Sequence, residues 1–214
     1  YLLENASTHK TRMNAAALLV HGYYGIKDYE NVIRAGNIFL RQSTGELREK
    51  QEIRVIIGNA CLALKRYEDA ARAYRSVATT EEESGNNWHI RAAKSGLISA
   101  YAALNDDVRL KRACEEILAQ GFDEELNRLC NTHLFRIVLR TNDKAAIAKA
   151  YQRALKESVS ADQKAETMHI YMDWLIKEKR HREALKIAQE ALAVPGCSNA
   201  QQEKNLRRAA ECYN

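Results

Sequence analysis

Cys130 and His133 stand three residues apart in "RLCNTHLF", a spacing that puts a thiol and an imidazole on one face of a helix, within reach of a single metal ion. Zinc needs about four convergent ligands. The remaining histidines (His9, His21, His89, His169, His181) and cysteines (Cys61, Cys114, Cys197, Cys212) are scattered along the chain. The pair therefore reads as a core cysteine beside a histidine of the polar face. The chain contains no glycine loop able to cradle a phosphate, no HExxH and no GxSxG, and isolated Ser, His and Asp residues do not make a triad. No catalytic, cofactor-binding or metal-binding residue is assigned, and the expectation is a protein that is not an enzyme.

Cationic residues are the other candidate chemistry. The run "KEKRHR" at 177–182 and an uneven charge distribution raise nucleic-acid binding. Residues 1–126 hold 17 basic and 18 acidic side chains, whereas residues 127–214 hold 16 and 10. Phosphate contacts require clustered Lys and Arg on one surface. Here Asp173, Glu178 and Glu183 are interleaved with the run. A solvated turn is the favoured reading, and a nucleic-acid-associated helical repeat using the basic C-terminal part is the alternative.

The elements that must carry these residues are helical. One proline and nine glycines among 214 residues, with abundant Ala, Leu, Arg, Lys, Glu and Gln, describe an all-α chain, because those residues lose little rotamer freedom in a helix. No apolar run approaches the roughly 20 residues that span a bilayer, and the N-terminus lacks a basic-then-apolar signal pattern. The chain begins with Tyr1 rather than Met and is read as a processed product or a piece of a longer chain. Five widely spaced cysteines without a CxxC pair suit buried free thiols and a reducing compartment.

Five stretches align on a polar turn followed by apolar or small residues at three-to-four spacing: "IKDYENVIRAGNIFL", "LKRYEDAARAYRSVA", "LNDDVRLKRACEEIL", "RTNDKAAIAKAYQRAL" and "EKRHREALKIAQEAL". Their matching positions, Val32, Ala70, Leu110, Ile147 and Ala184, are 38, 40, 37 and 37 residues apart. Each stretch is preceded by another apolar-periodic segment, so the unit is a pair of antiparallel helices. Five units are expected, at about 6–43, 46–80, 86–120, 122–157 and 160–195, followed by a terminal helix at 198–213 after "VPGCSN". The total is eleven helices and no sheet. "TTEEESGNN" at 79–87 is the expected loop or slight hinge. Within the second unit, Gly58 and Ala70 are expected to face each other across a close helix approach.

These units resemble the tetratricopeptide (TPR) family, in which small residues and aromatics recur at fixed places in both helices. The second unit carries the resemblance best, through Gly58, Tyr67, Ala70 and Tyr74. The first has Tyr23 and Tyr29; the fourth has Tyr151, Ala154 and Leu155; the fifth has Ala184, Ala191 and Leu192, with Pro195 just beyond. Cys61 and Cys114 replace expected aromatics, and the steps exceed the family's roughly 34 residues. The pattern is thus most similar to divergent TPR-like arrays of bacterial envelope and assembly proteins. The resemblance implies a right-handed α-α superhelix, a single solenoid over 1–214, acting as a protein-protein interaction scaffold. It points to the bacterial periplasm or cell envelope, against the cytoplasm that the cysteines favour.

In such arrays the first helices of successive pairs line a concave groove. Counting back from each turn gives Asn14, His21, Tyr24, Asn59, Arg136, Arg140, His169 and Lys177 as partner-binding candidates. Some TPR domains clamp an acidic C-terminal chaperone peptide with Lys, Asn, Asn, Lys and Arg, but only Asn59 falls on a matching place here. Arg136 and Arg140, four apart on the first helix of the fourth pair, with Lys177 on the neighbouring first helix, are expected to form a cationic surface for an acidic peptide or loop. Glu166 and Asp173 are expected to neutralise it only in part.

Overall fold

The five aligned residues Val32, Ala70, Leu110, Ile147 and Ala184 are all buried, and each is the fourth residue of its helix. In each case the residue four places earlier, Asp28, Arg66, Asp106, Asp143 or Arg180, accepts its backbone N–H. The sequence period is therefore a structural one. The computed structural model describes residues 9–42, 46–79, 87–121, 123–141 and 143–213. These form eleven helices and, among the described residues, no strand: α1 (His9–Gly25), α2 (Tyr29–Gln42), α3 (Leu47–Ala63), α4 (Tyr67–Ala78), α5 (Trp88–Ala103), α6 (Asp107–Gln120), α7 (Glu124–Val138), α8 (Lys144–Lys156), α9 (Ala161–Lys177), α10 (His181–Leu192) and α11 (Asn199–Tyr213). Most of the expected loop at 79–87 lies outside the described residues.

One turn geometry recurs between the helices of a pair. Lys27, Lys65, Asn105 and Lys179 have φ of 62°, 59°, 54° and 59°, the left-handed region that glycine normally fills at a helix C-terminus. After α3, Arg66 N–H donates to Cys61 O at 2.8 Å and Lys65 N–H to Leu62 O at 3.0 Å; after α9, Arg180 and Lys179 repeat both bonds on Leu175 and Ile176. This double bond pattern satisfies carbonyls that the helix end would leave unpaired. The start of the next helix is capped by Asp106, which accepts from Arg109 N, or by Asp143, which accepts from Ala145 N and Ala146 N. Arg66 and Arg180 occupy the same place without a capping oxygen and instead donate to Asp69 and Glu183 one turn on.

By internal contacts the chain divides into two compact units, residues 1–126 and 127–214, and the division falls within α7. In the first unit α1 packs on α2, α3 on α4 and α5 on α6, with α4 also against α5 and α3 against α5. Its core is organised by Tyr74, which is fully buried. A Cβ built on Gly58 of α3 or on Gly96 of α5 would lie within 2.6 Å of a Tyr74 ring carbon, so the ring occupies the space both glycines leave open. Gly58 is thus opposed by Tyr74, one helical turn from the expected Ala70. Close approach explains the glycine, and the atoms nearest to it belong to an aromatic ring.

In the second unit α9 packs on α8, α10 and α11, and α10 on α11. Met172, Leu175, Ala184, Ala188 and Ala209 form one apolar cluster, and Phe135, Tyr151, Met168 and Ala191 another. Asn205 of α11 is buried, yet satisfied: its amide donates to Ala191 O at 2.9 Å and its carbonyl accepts from Gln201 at 3.1 Å.

Candidate functional site

A ladder of rings crosses the second unit and sets the floor of a pocket. Phe135 of α7 stacks on Tyr151 of α8 (6.2 Å between centroids), Tyr151 on Tyr171 of α9 (4.1 Å), and Tyr171 on Trp174 (5.6 Å), with interplanar angles of 26°, 19° and 14°. Offset-stacked rings hold one another's rotamers. The last rung, Trp174, lines a pocket of about 580 Å³, together with Leu139 and Ile170. Arg180 lies over the same indole, 5.3 Å from its centroid.

Four cations surround that apolar floor: Arg136 of α7, Arg140 from the turn after it, Lys144 at the start of α8, and Lys177 at the end of α9. Two acids, Asp173 and Glu178, share the lining. Ile170, Asp173, Trp174 and Lys177 are spaced by three or four residues, so one face of α9 supplies charge and floor together. Among the described residues, none of Arg136, Lys144 and Lys177 is in an ion pair within the unit. Asp173 is held by Arg208 of α11 at 3.0 Å, and Glu166, two turns earlier on α9, by Lys204. The positive field reaches His133: burial first, then Arg136 and Arg140, push its imidazole pKa below the ordinary value.

The pocket brings together Arg136, Arg140 and Lys177 of the sequence candidates. Arg140 does so from beyond the end of α7, with its N–H bonded to Ile137 O, and not from the helix itself as the spacing suggests. His169 is buried, 2% exposed, and among the described residues neither ring nitrogen has a hydrogen-bond partner, so it does not face a groove. Burial lowers its pKa as the main cause. In the first unit, Asn14 and His21 are exposed on α1, and Tyr24 meets Tyr29 edge-on at 6.1 Å. Asn59, partly exposed on α3, accepts a 2.6 Å hydrogen bond from the Tyr74 hydroxyl.

Three contributors escaped the sequence reading. Lys144 opens the second helix of its pair, outside the first-helix positions expected to line a groove. Trp174 was legible in principle, four residues from Ile170 and three from Lys177 on one face. Arg208 acts from 35 residues away, a separation no local pattern reveals. Among the described residues no three His, Cys, Asp or Glu side chains are grouped as metal ligands, and no helix is long and apolar enough to cross a membrane. No protein-family model matches the chain, and no curated protein matches it.

Proposed function

We propose that the chain is a non-catalytic scaffold of TPR-like helix pairs, wound as a right-handed superhelix, that holds an acidic segment of a partner protein in the pocket of residues 136–178, in keeping with a place in cell-envelope assembly. The single observation that carries this reading is the charge of the pocket. Four cations line it, while Asp173, the acid expected to offset them from α9, is already engaged by Arg208. Arginine in such a place binds carboxylates through paired, directional N–H donors, and lysine adds point charge. Leu139, Ile170 and Trp174 offer an apolar surface between the cations for a neighbouring side chain of the same segment.

Trp174 favours a peptide over a nucleic acid. Its ring is part of the internal stack with Tyr171 and is overlain by Arg180, and a base-stacking platform needs an open ring face. The test is fluorescence anisotropy with a fluorescein-labelled octapeptide of alternating glutamate and leucine, run beside a single-stranded oligonucleotide of similar charge. Binding of the peptide, weakened about tenfold or more (roughly 1.4 kcal/mol) by Arg136→Ala with Lys177→Ala at an unchanged melting temperature, is the expected result. Tighter binding of the oligonucleotide than of the peptide, lost in the same variant, would replace this reading with nucleic-acid binding.

A further inference from the structure

Glu166, Asp173 and Lys177 lie on one face of α9, and two of the three are acids. Left to itself that face would set one cation against two anions, of which Asp173 lines the pocket and Glu166 lies two turns away. The tertiary structure changes the balance with α11. Arg208 donates to Asp173 at 3.0 Å and to Glu211 at 3.0 Å, and Lys204 pairs with Glu166. Asp173 is a lining residue of the pocket, so the Arg208 charge sits one side chain behind the wall.

We infer that Arg208, acting through Asp173, sets the affinity of the pocket for anionic groups, with Lys204 reinforcing it through Glu166. The ligand class rests on the function proposed above; the electrostatic role does not. Stability gives little reason for the pair. Arg208 and Asp173 are 32% and 41% exposed, and ion pairs so wetted contribute little to folding. α11 is seated independently of them, by the buried Ala209 and by the bond from Asn205 to Ala191 O. What removing Arg208 does change is the field: a carboxylate facing the pocket loses its counter-charge. At low ionic strength, where charges are weakly screened, that matters to any anion held there. Arg208 is a positioning residue for charge, not a ligand-contacting one.

The experiment reads the pocket's potential directly and peptide binding in parallel. Thr141, exposed in the pocket lining, is changed to cysteine in a Cys212→Ser chain, the other four cysteines being buried. The rate of its thiol with a dianionic aromatic disulfide is divided by its rate with neutral dipyridyl disulfide; the ratio cancels changes in thiol reactivity and reports local charge. Arg208→Ala is expected to lower the ratio, and the affinity for the glutamate-leucine octapeptide, by about two- to fivefold at low salt. Arg208→Lys is expected to keep most of both. Asp173→Asn added to Arg208→Ala is expected to restore both, although the ion pair is still absent. A ratio unmoved by Arg208→Ala, or left low in the double variant, overturns the inference and leaves the pair a structural contact. A ratio that moves as expected in a chain whose parent does not bind the peptide sustains the electrostatic role and removes the acidic-segment reading.

Discussion

Tyr74 donates its hydroxyl hydrogen to Asn59 Oδ1 over 2.6 Å, with its ring filling the spaces where Gly58 and Gly96 lack a Cβ. One side chain of α4 thereby ties the helix before it to the helix after it. Burial raises the phenol's pKa above its ordinary value, so the hydroxyl remains a donor throughout the usual working range of pH.

Gly96→Ala places a methyl within 2.6 Å of a carbon of a fully buried ring, so the ring or its helix must shift, and should cost about 1 to 3 kcal/mol through overpacking. Tyr74→Phe keeps the ring and removes only the bond to Asn59, which is partly exposed and can turn to water; the cost should be about 0.5 to 1.5 kcal/mol. Urea titrations of both variants check the order. If Gly96→Ala proved the milder change, Tyr74 would not be confined as described.

The pair turns make a prediction in the opposite direction. Lys65 and Lys179 hold a left-handed backbone that side-chain-bearing residues adopt at a cost. Lys65→Gly or Lys179→Gly removes that cost while raising the entropy of the unfolded chain, for a net stabilisation of about 0.5 to 1 kcal/mol. A rise in the denaturation midpoint at unchanged slope is the expected signature.

His169 links stability to pH. Its folded-state pKa lies below the unfolded value, so between the two the unfolded chain binds more protons and stability falls as pH drops below about 6.5. With both ring nitrogens unpartnered among the described residues, the native state gains nothing from the proton. Thermal melts from pH 7 to pH 5 should show a falling midpoint, and His169→Met should flatten the fall. A variant with the parent's full pH dependence would transfer the effect to His133 or His89, whose pKa values burial also lowers.

The pocket carries a salt signature. Lys144→Ala should weaken binding of the glutamate-leucine octapeptide about two- to fivefold at low ionic strength and progressively less as salt screens the charge. Equal weakening at all salt concentrations would mean that Lys144 contributes packing instead of charge.

The amino-acid sequence determined the helical class, the eleven elements, the pairing of neighbours and the repeat register, because each rests on local information. Propensity and three-to-four periodicity act within a helix, and the turn geometry at Lys27, Lys65, Asn105 and Lys179 is fixed by backbone bonds over six residues. The candidate cations Arg136, Arg140 and Lys177 were legible for the same reason, as spacings counted back from those turns. Tertiary structure decided everything that depends on which side chain lies opposite. It set the Tyr74 ring against Gly58, buried His169, bonded Asn59 to the Tyr74 hydroxyl, and brought Lys144 and Trp174 into the pocket. It also neutralised Asp173 with Arg208, 35 residues away. Periodicity assigns a residue to a face, but the charge and burial of that face depend on the neighbouring helix that packs against it, and that contact has no local signature in the chain.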